Sequence, residues 1–173
     1  MNSPKKNILI TGLPGVGKTT LIKKVSEELR DLHLVGFYTA EIREKGARKG
    51  FELICFDGRR GILSHTDIKG PHRVGKYGVD IKGFEYLLES IPFLAPATNL
   101  IIIDEIGKME CLSLKFRLLI EDILNSEKQV VATIALKGSG LIEEIKKRDD
   151  IRLMEITQSN REPLVSEVLK LLN

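Results

Sequence analysis

The chain has 173 residues, 42% hydrophobic and 29% charged, which is enough apolar material for a core and excludes a disordered chain. Lys and Arg number 27 against 24 Asp and Glu, and a net charge of +3 is too small to mark a nucleic-acid binder. Cys55 and Cys111 lack metal-ligand spacing, and the first apolar stretch, Ile8 to Ile10, is too short for a signal core or membrane span; both facts point to a cytoplasmic protein in a reducing compartment.

Short β-branched runs alternate with stretches of helical periodicity, which predicts an α/β fold with a mainly parallel sheet. Residues 1–173 read as one domain, because the chain shows no linker or repeat. Asn7 to Thr11 is a buried strand, followed by a glycine-rich turn and a helix through about Arg30. Leu21, Ile22, Val25 and Leu29 give that helix one apolar face. Val35 to Ile42, Phe51 to Phe56 and Gly61 to Leu63 are strand-like and separated by the turn signals Lys45-Gly46 and Asp57-Gly58, an antiparallel β-meander extending the sheet. His65 to Gly83 reads as a long polar loop, and a helix at Phe84 to Ser90 follows. The most apolar strand, Leu100 to Ile103, runs into Asp104-Glu105. Helices at 114–124, 141–147 and 163–171 and strands at 130–135 and 151–156 complete the chain. No helix shows a surplus apolar face, which favours a monomer.

Gly12-Leu13-Pro14-Gly15-Val16-Gly17-Lys18-Thr19 matches G-x-x-x-x-G-K-[ST], the Walker A phosphate loop. Glycines let successive backbone N–H groups crowd around phosphate oxygens, and the helix start that follows adds unpaired N–H groups and a favourable dipole. Lys18 supplies a point charge for the β- and γ-phosphates, and the Thr19 hydroxyl is a ligand for Mg²⁺. The apolar strand ending in Asp104-Glu105 has the Walker B form. Placed beside the first strand, its carboxyl end would bring Asp104 to the metal and Glu105 to a water that attacks the γ-phosphate.

The chain resembles the thermostable nucleoside-triphosphatase family, the family of the human cancer-related nucleoside-triphosphatase, within the P-loop NTPase superfamily. The residues that carry the resemblance are the phosphate loop, Gly36-Phe37-Tyr38-Thr39 with Glu41-Ile42-Arg43, Val74 to Val79, Ile103 to Glu110, and Asn160-Arg161-Glu162. It implies a three-layer P-loop fold with a RecA-like or adenylate-kinase-like sheet. It also implies hydrolysis of ATP, GTP and other nucleoside triphosphates to diphosphate and phosphate.

Further candidates follow from charge. Arg73 and Lys76, in the glycine-spaced loop with His72, are placed to close as a lid and meet the γ-phosphate. Lys108 and Glu110 lie close enough to the acidic pair to reach the γ-phosphate and the water. Arg161, just past the last strand, is placed to stack on a base without reading its identity. The expected protein is a Mg²⁺-dependent nucleoside-triphosphatase with Lys18 and Glu105 as catalytic groups. Two alternatives use the same loop: a small P-loop nucleotide or small-molecule kinase, and a nucleotide-dependent switch protein.

Overall fold

The computed structural model describes residues 5–173; residues 1–4, part of the polar N-terminus, lie outside the described residues. Among the described residues, nine strands form one mixed sheet. They are β1 (Asn7–Thr11), β2 (Leu34–Glu44), β3 (Ala47–Cys55), β4 (Arg60–His65), β5 (Arg73–Val74), β6 (Tyr77–Val79), β7 (Leu100–Ile106), β8 (Gln129–Ile134) and β9 (Ile151–Glu155), in the spatial order β5-β6-β4-β3-β2-β7-β8-β1-β9. From β2 to β9 across the sheet the pairing is parallel; from β2 to β5 it is antiparallel.

Helices α1 (Lys18–Glu28), α2 (Ile81–Glu89), α3 (Leu114–Asn125), α4 (Leu141–Lys146) and α5 (Arg161–Leu172) cover both faces. The central strands carry apolar runs because both faces are buried, and alternate residues serve opposite sides. On β1, Ile8 and Ile10 pack with Leu21, Ile22 and Val25 of α1 and Leu164 and Val168 of α5. Leu9 faces the other way, into the layer with Phe84 of α2, Phe116 and Ile120 of α3 and Ile142 of α4. The same division separates Leu100 and Ile102 from Ile101 and Ile103 on β7. Three layers result, with the strand ends that carry the motifs left uncovered by helix.

The meander is present and larger than its sequence pattern. β2 pairs in parallel with β7 through Leu34 to Phe37 and continues in antiparallel pairing with β3 as far as Glu44. It is therefore the element that joins the parallel and antiparallel halves. The region 65–83 is not loop throughout. It contains the β5–β6 hairpin, and β6 is tied to β4 through Ser64↔Val79. Strands of two and three residues carry too little alternation to be read. Helix α2 starts at Ile81 rather than Phe84, because the Asp80 side chain accepts a hydrogen bond from Gly83 N at 2.9 Å and caps it.

One further expectation needs correction. β7 does not lie beside β1, since β8 runs between them and pairs with both. Leu114 and Leu118, one turn apart on α3, are 58% and 54% exposed.

Candidate active site

The phosphate loop leaves the buried end of β1 and enters α1. Thr11 donates its hydroxyl to Ile134 O at 3.0 Å, fixing the strand end against β8. Two glycines in the loop are required by backbone shape: Gly15 has φ 74° and Gly17, the residue before α1, has φ 115°. Val16 turns into the core while Leu13 stands in solvent at 62% exposure, so the loop is anchored at one point and open at its tip. Lys18 folds back over the loop, its Nζ donating to Gly12 O at 2.7 Å and Leu13 O at 3.3 Å. That ammonium also lies 4.0 Å from Glu105 Oε2.

Asp104 is 1% exposed at the end of β7 and accepts four hydrogen bonds. Thr19 Oγ1 donates to Oδ2 at 2.7 Å, and Thr133 Oγ1, from the end of β8, donates to Oδ1 at 2.7 Å. Thr39, on β2, gives Oδ2 both its hydroxyl at 3.0 Å and its backbone N–H at 3.2 Å. A buried carboxylate needs such partners to keep its charge. The phosphate-loop hydroxyl and the acidic strand thus meet even with β8 between their strands. Neither Thr39 nor Thr133 lies in a phosphate-binding motif; Thr39 has a signal only as part of the family-like stretch Gly36 to Thr39, and Thr133 as the one hydroxyl within the apolar run Val130 to Ala135.

The donor set suits a small hard cation. A hydroxyl and a carboxylate oxygen side by side are the protein share that Mg²⁺ takes, with phosphates and water supplying the remaining ligands. Among the described residues no cluster of three or more His, Cys, Asp or Glu could hold a metal alone.

Glu105, half-buried, follows directly. Burial raises its pKa above the ordinary carboxylate value, the Lys18 ammonium pulls it back, and the Asp104 charge adds to the rise. Glu110 lies in the short 3-10 turn Glu110–Leu112 and is 5% exposed. Burial pushes its carboxyl well above the usual range, and the Glu105 charge adds to this. The two carboxyls approach each other across Gly107. A Cβ there would lie 2.6 Å from Glu105 Oε1 and 3.1 Å from Glu110 Oε2. Only a glycine leaves room for both.

The remaining candidates divide. Arg161 begins α5, at a turn held by Asn160, whose side chain accepts from Thr157 N at 2.7 Å and donates to Glu155 O at 2.9 Å. Its side chain lies against the phosphate loop, with Cδ 3.4 Å from where a Cβ on Gly17 would sit. Together with Gly17, Thr20, Lys24 and Ile156 it lines a recess of about 100 Å³. Lys24 and Glu162 form an ion pair at 2.7 Å beside it. Arg73 is held elsewhere: its guanidinium donates to Ile68 O at 3.0 Å and Lys76 O at 2.8 Å, bracing the β5–β6 hairpin. Lys76 is exposed with its ammonium over the Tyr77 ring, and Lys108 is exposed near the acidic pair.

No helix among the described residues is long and apolar enough to cross a membrane. The sequence profile of a family described as NTPase matches residues 7–169. The nucleoside-triphosphatase THEP1 of Thermotoga sp. (strain RQ2) is 51% identical over 166 residues, covering 95% of this chain and 94% of that protein. The human cancer-related nucleoside-triphosphatase is 37% identical, with 95% of each chain covered. The crystal structure of THEP1 from the hyperthermophile Aquifex aeolicus superposes with a TM-score of 0.84 at 38% identity, covering 96% of this chain and 99% of that one. By profile, by sequence and by structure, the chain belongs to the NTPase family.

Proposed function

We propose that the protein is a nucleoside-triphosphate phosphohydrolase that releases the γ-phosphate of ATP, GTP and other nucleoside triphosphates to water. The observation that carries this reading is the 4.0 Å approach of Lys18 Nζ and Glu105 Oε2. It sets a carboxylate beside the cation that meets the terminal phosphates.

In this reading the backbone N–H groups of residues 12 to 19 and the start of α1 cradle the phosphate chain. Lys18 exchanges its loop carbonyls for phosphate oxygens and stabilises charge on the bridging oxygen as it leaves. Glu105 accepts a proton from water while that water's oxygen bonds to the γ-phosphorus. The bond from phosphorus to the β,γ-bridging oxygen breaks, leaving diphosphate and inorganic phosphate. Burial suits Glu105 to this task, because a carboxyl raised above its ordinary pKa is a stronger base when ionised. Glu110, buried next to it, holds the turn that fixes its direction.

Thr19 and Asp104 would hold Mg²⁺, which supplies charge neutralisation of the phosphate oxygens. Arg161 and the recess beside Gly17 take the nucleoside. The planar guanidinium stacks on a base through its π-face, which every base has, so the site accepts several nucleotides. Free thiols at Cys55 and Cys111 suit a cytoplasmic enzyme.

The test is phosphate release from ATP, GTP, CTP and UTP with Mg²⁺ and no acceptor. The reading expects turnover of several of the four. Turnover that appears only after a phosphate acceptor is added would make the protein a kinase instead.

A further inference from the structure

Three threonines from three separate strands or loops converge on Asp104, and they are not equivalent. Thr19 belongs to the phosphate loop. Thr133 meets only Oδ1, deep between strands where both groups are sealed from solvent. Thr39 gives two donors, hydroxyl and backbone N–H, to Oδ2, the oxygen that Thr19 also meets. Carboxylate groups rotate broadly about the Cβ–Cγ bond unless both oxygens are held. Thr133 holds one oxygen, and Thr39 fixes the other on the side of Thr19.

The placement of Thr39 depends on a backbone path that only glycine follows. Gly36 has φ 132°, and a Cβ there would lie 1.7 Å from Ile102 O. Without a side chain at that position β2 stays paired with β7 through Phe37↔Ile103, and the two residues beyond that pair carry Thr39 to the carboxylate. Thr39 also belongs to the hairpin with β3, opposite Leu53. A residue of the antiparallel extension thus reaches into the phosphate-loop site, and among the described residues its side-chain hydrogen bond goes to Asp104.

We infer that Thr39 is a positioning residue of the magnesium site. It holds Asp104 Oδ2 turned towards Thr19, so that carboxylate and hydroxyl present their oxygens to the cation together. The inference rests on the assignment of Thr19 and Asp104 to Mg²⁺. Groups that orient a metal ligand are worth about 10- to 100-fold in metal affinity.

The test compares Thr39→Val, Thr39→Ser and Asp104→Asn in two assays. One is the Mg²⁺ concentration giving half-maximal phosphate release. The other is direct binding of Mn²⁺ in the presence of ADP, followed by the paramagnetic signal of the free ion, with ADP binding in EDTA as its control. Thr39→Val keeps the branched shape and the N–H and loses only the hydroxyl. It is expected to weaken Mn²⁺ binding and raise the half-maximal Mg²⁺ by about tenfold, with ADP binding in EDTA within about twofold of the parent. Thr39→Ser restores both values. Should Thr39→Val fail to fold, Thr39→Ala carries the same expectation. Asp104→Asn separates the two levels of the argument. Normal Mn²⁺ binding in Thr39→Val with weakened binding in Asp104→Asn overturns the role of Thr39 alone. Normal binding in both overturns the magnesium assignment itself. Equal weakening of ADP binding in EDTA would make Thr39 a support of the phosphate loop and also overturn the inference.

Discussion

Gly36→Ala is the substitution that most directly probes how the sheet builds the site. In the native chain a Cβ at position 36 would sit 1.7 Å from Ile102 O and 2.8 Å from Ile102 C. Both neighbours are backbone atoms of a buried central strand, so no side chain can rotate away to relieve the contact. β2 must move off β7 by more than an ångström, which weakens the parallel pairing from Leu34↔Leu100 to Phe37↔Ile103. Two lost ladder hydrogen bonds cost about 1 kcal/mol each. Placing a side chain at φ 132° costs a further ~1–3 kcal/mol. Together these give about 3–5 kcal/mol, which for a chain of this size lowers Tm by about 6–20 °C. Thermal unfolding followed by far-ultraviolet circular dichroism reads the shift, and the same variant should need more Mg²⁺ for turnover because Thr39 moves with β2. A Tm within about 2 °C of the parent, under 1 kcal/mol, would refute the requirement for glycine at position 36.

Two other predictions address groups in and beside the site. Glu110 has a folded-state pKa raised by burial, so the folded state binds the proton more tightly than the unfolded state, and stability falls as pH rises from the ordinary carboxylate value through the raised one. Glu110→Gln keeps the shape and loses that penalty. Its Tm should match the parent below about pH 4 and exceed it increasingly as pH rises above that value, and an offset independent of pH would contradict the buried carboxyl. Arg161→Ala, measured by steady-state kinetics on four nucleotides, should raise every KM by about 5- to 30-fold, the worth of a ~1–2 kcal/mol stacking contact. kcat should change little; a rise for one base alone would mean that Arg161 reads base identity.

How far the site could be read from sequence follows from how local each feature is. The phosphate loop spans eight consecutive residues, Gly12 to Thr19, and its strand and helix flanks are local too, so pattern and fold agree. Asp104 and Glu105 were legible for the same reason: an apolar strand ends in two acids. Thr39 and Thr133 reach Asp104 from 65 and 29 residues away in sequence, through the register of β2 with β7 and β7 with β8. One chain carries no mark of that register. Gly36 within a strand is a general signal of close backbone approach, yet its partner, Ile102, is fixed only by the sheet order. The intervening position of β8 belongs to the same class. Arg73 illustrates the opposite limit. Its charge and glycine-rich surroundings suggest a mobile lid, whereas the carbonyls of Ile68 in the preceding loop and Lys76 in the hairpin turn accept hydrogen bonds from the guanidinium. Glu110 shows that a carboxyl close to a motif in sequence can be a buried neighbour of another carboxyl, here Glu105.

If Glu105 takes the proton from the attacking water, single-turnover hydrolysis by Glu105→Gln must slow at the chemical step. The amide keeps the size of the side chain and its place across Gly107 from Glu110 but cannot accept the proton. With nucleotide binding checked by a fluorescent analogue and found within a few-fold of the parent, the account predicts that phosphate release from bound ATP slows by about 10²- to 10⁴-fold. Release at the parental rate would contradict it and remove Glu105 as the base.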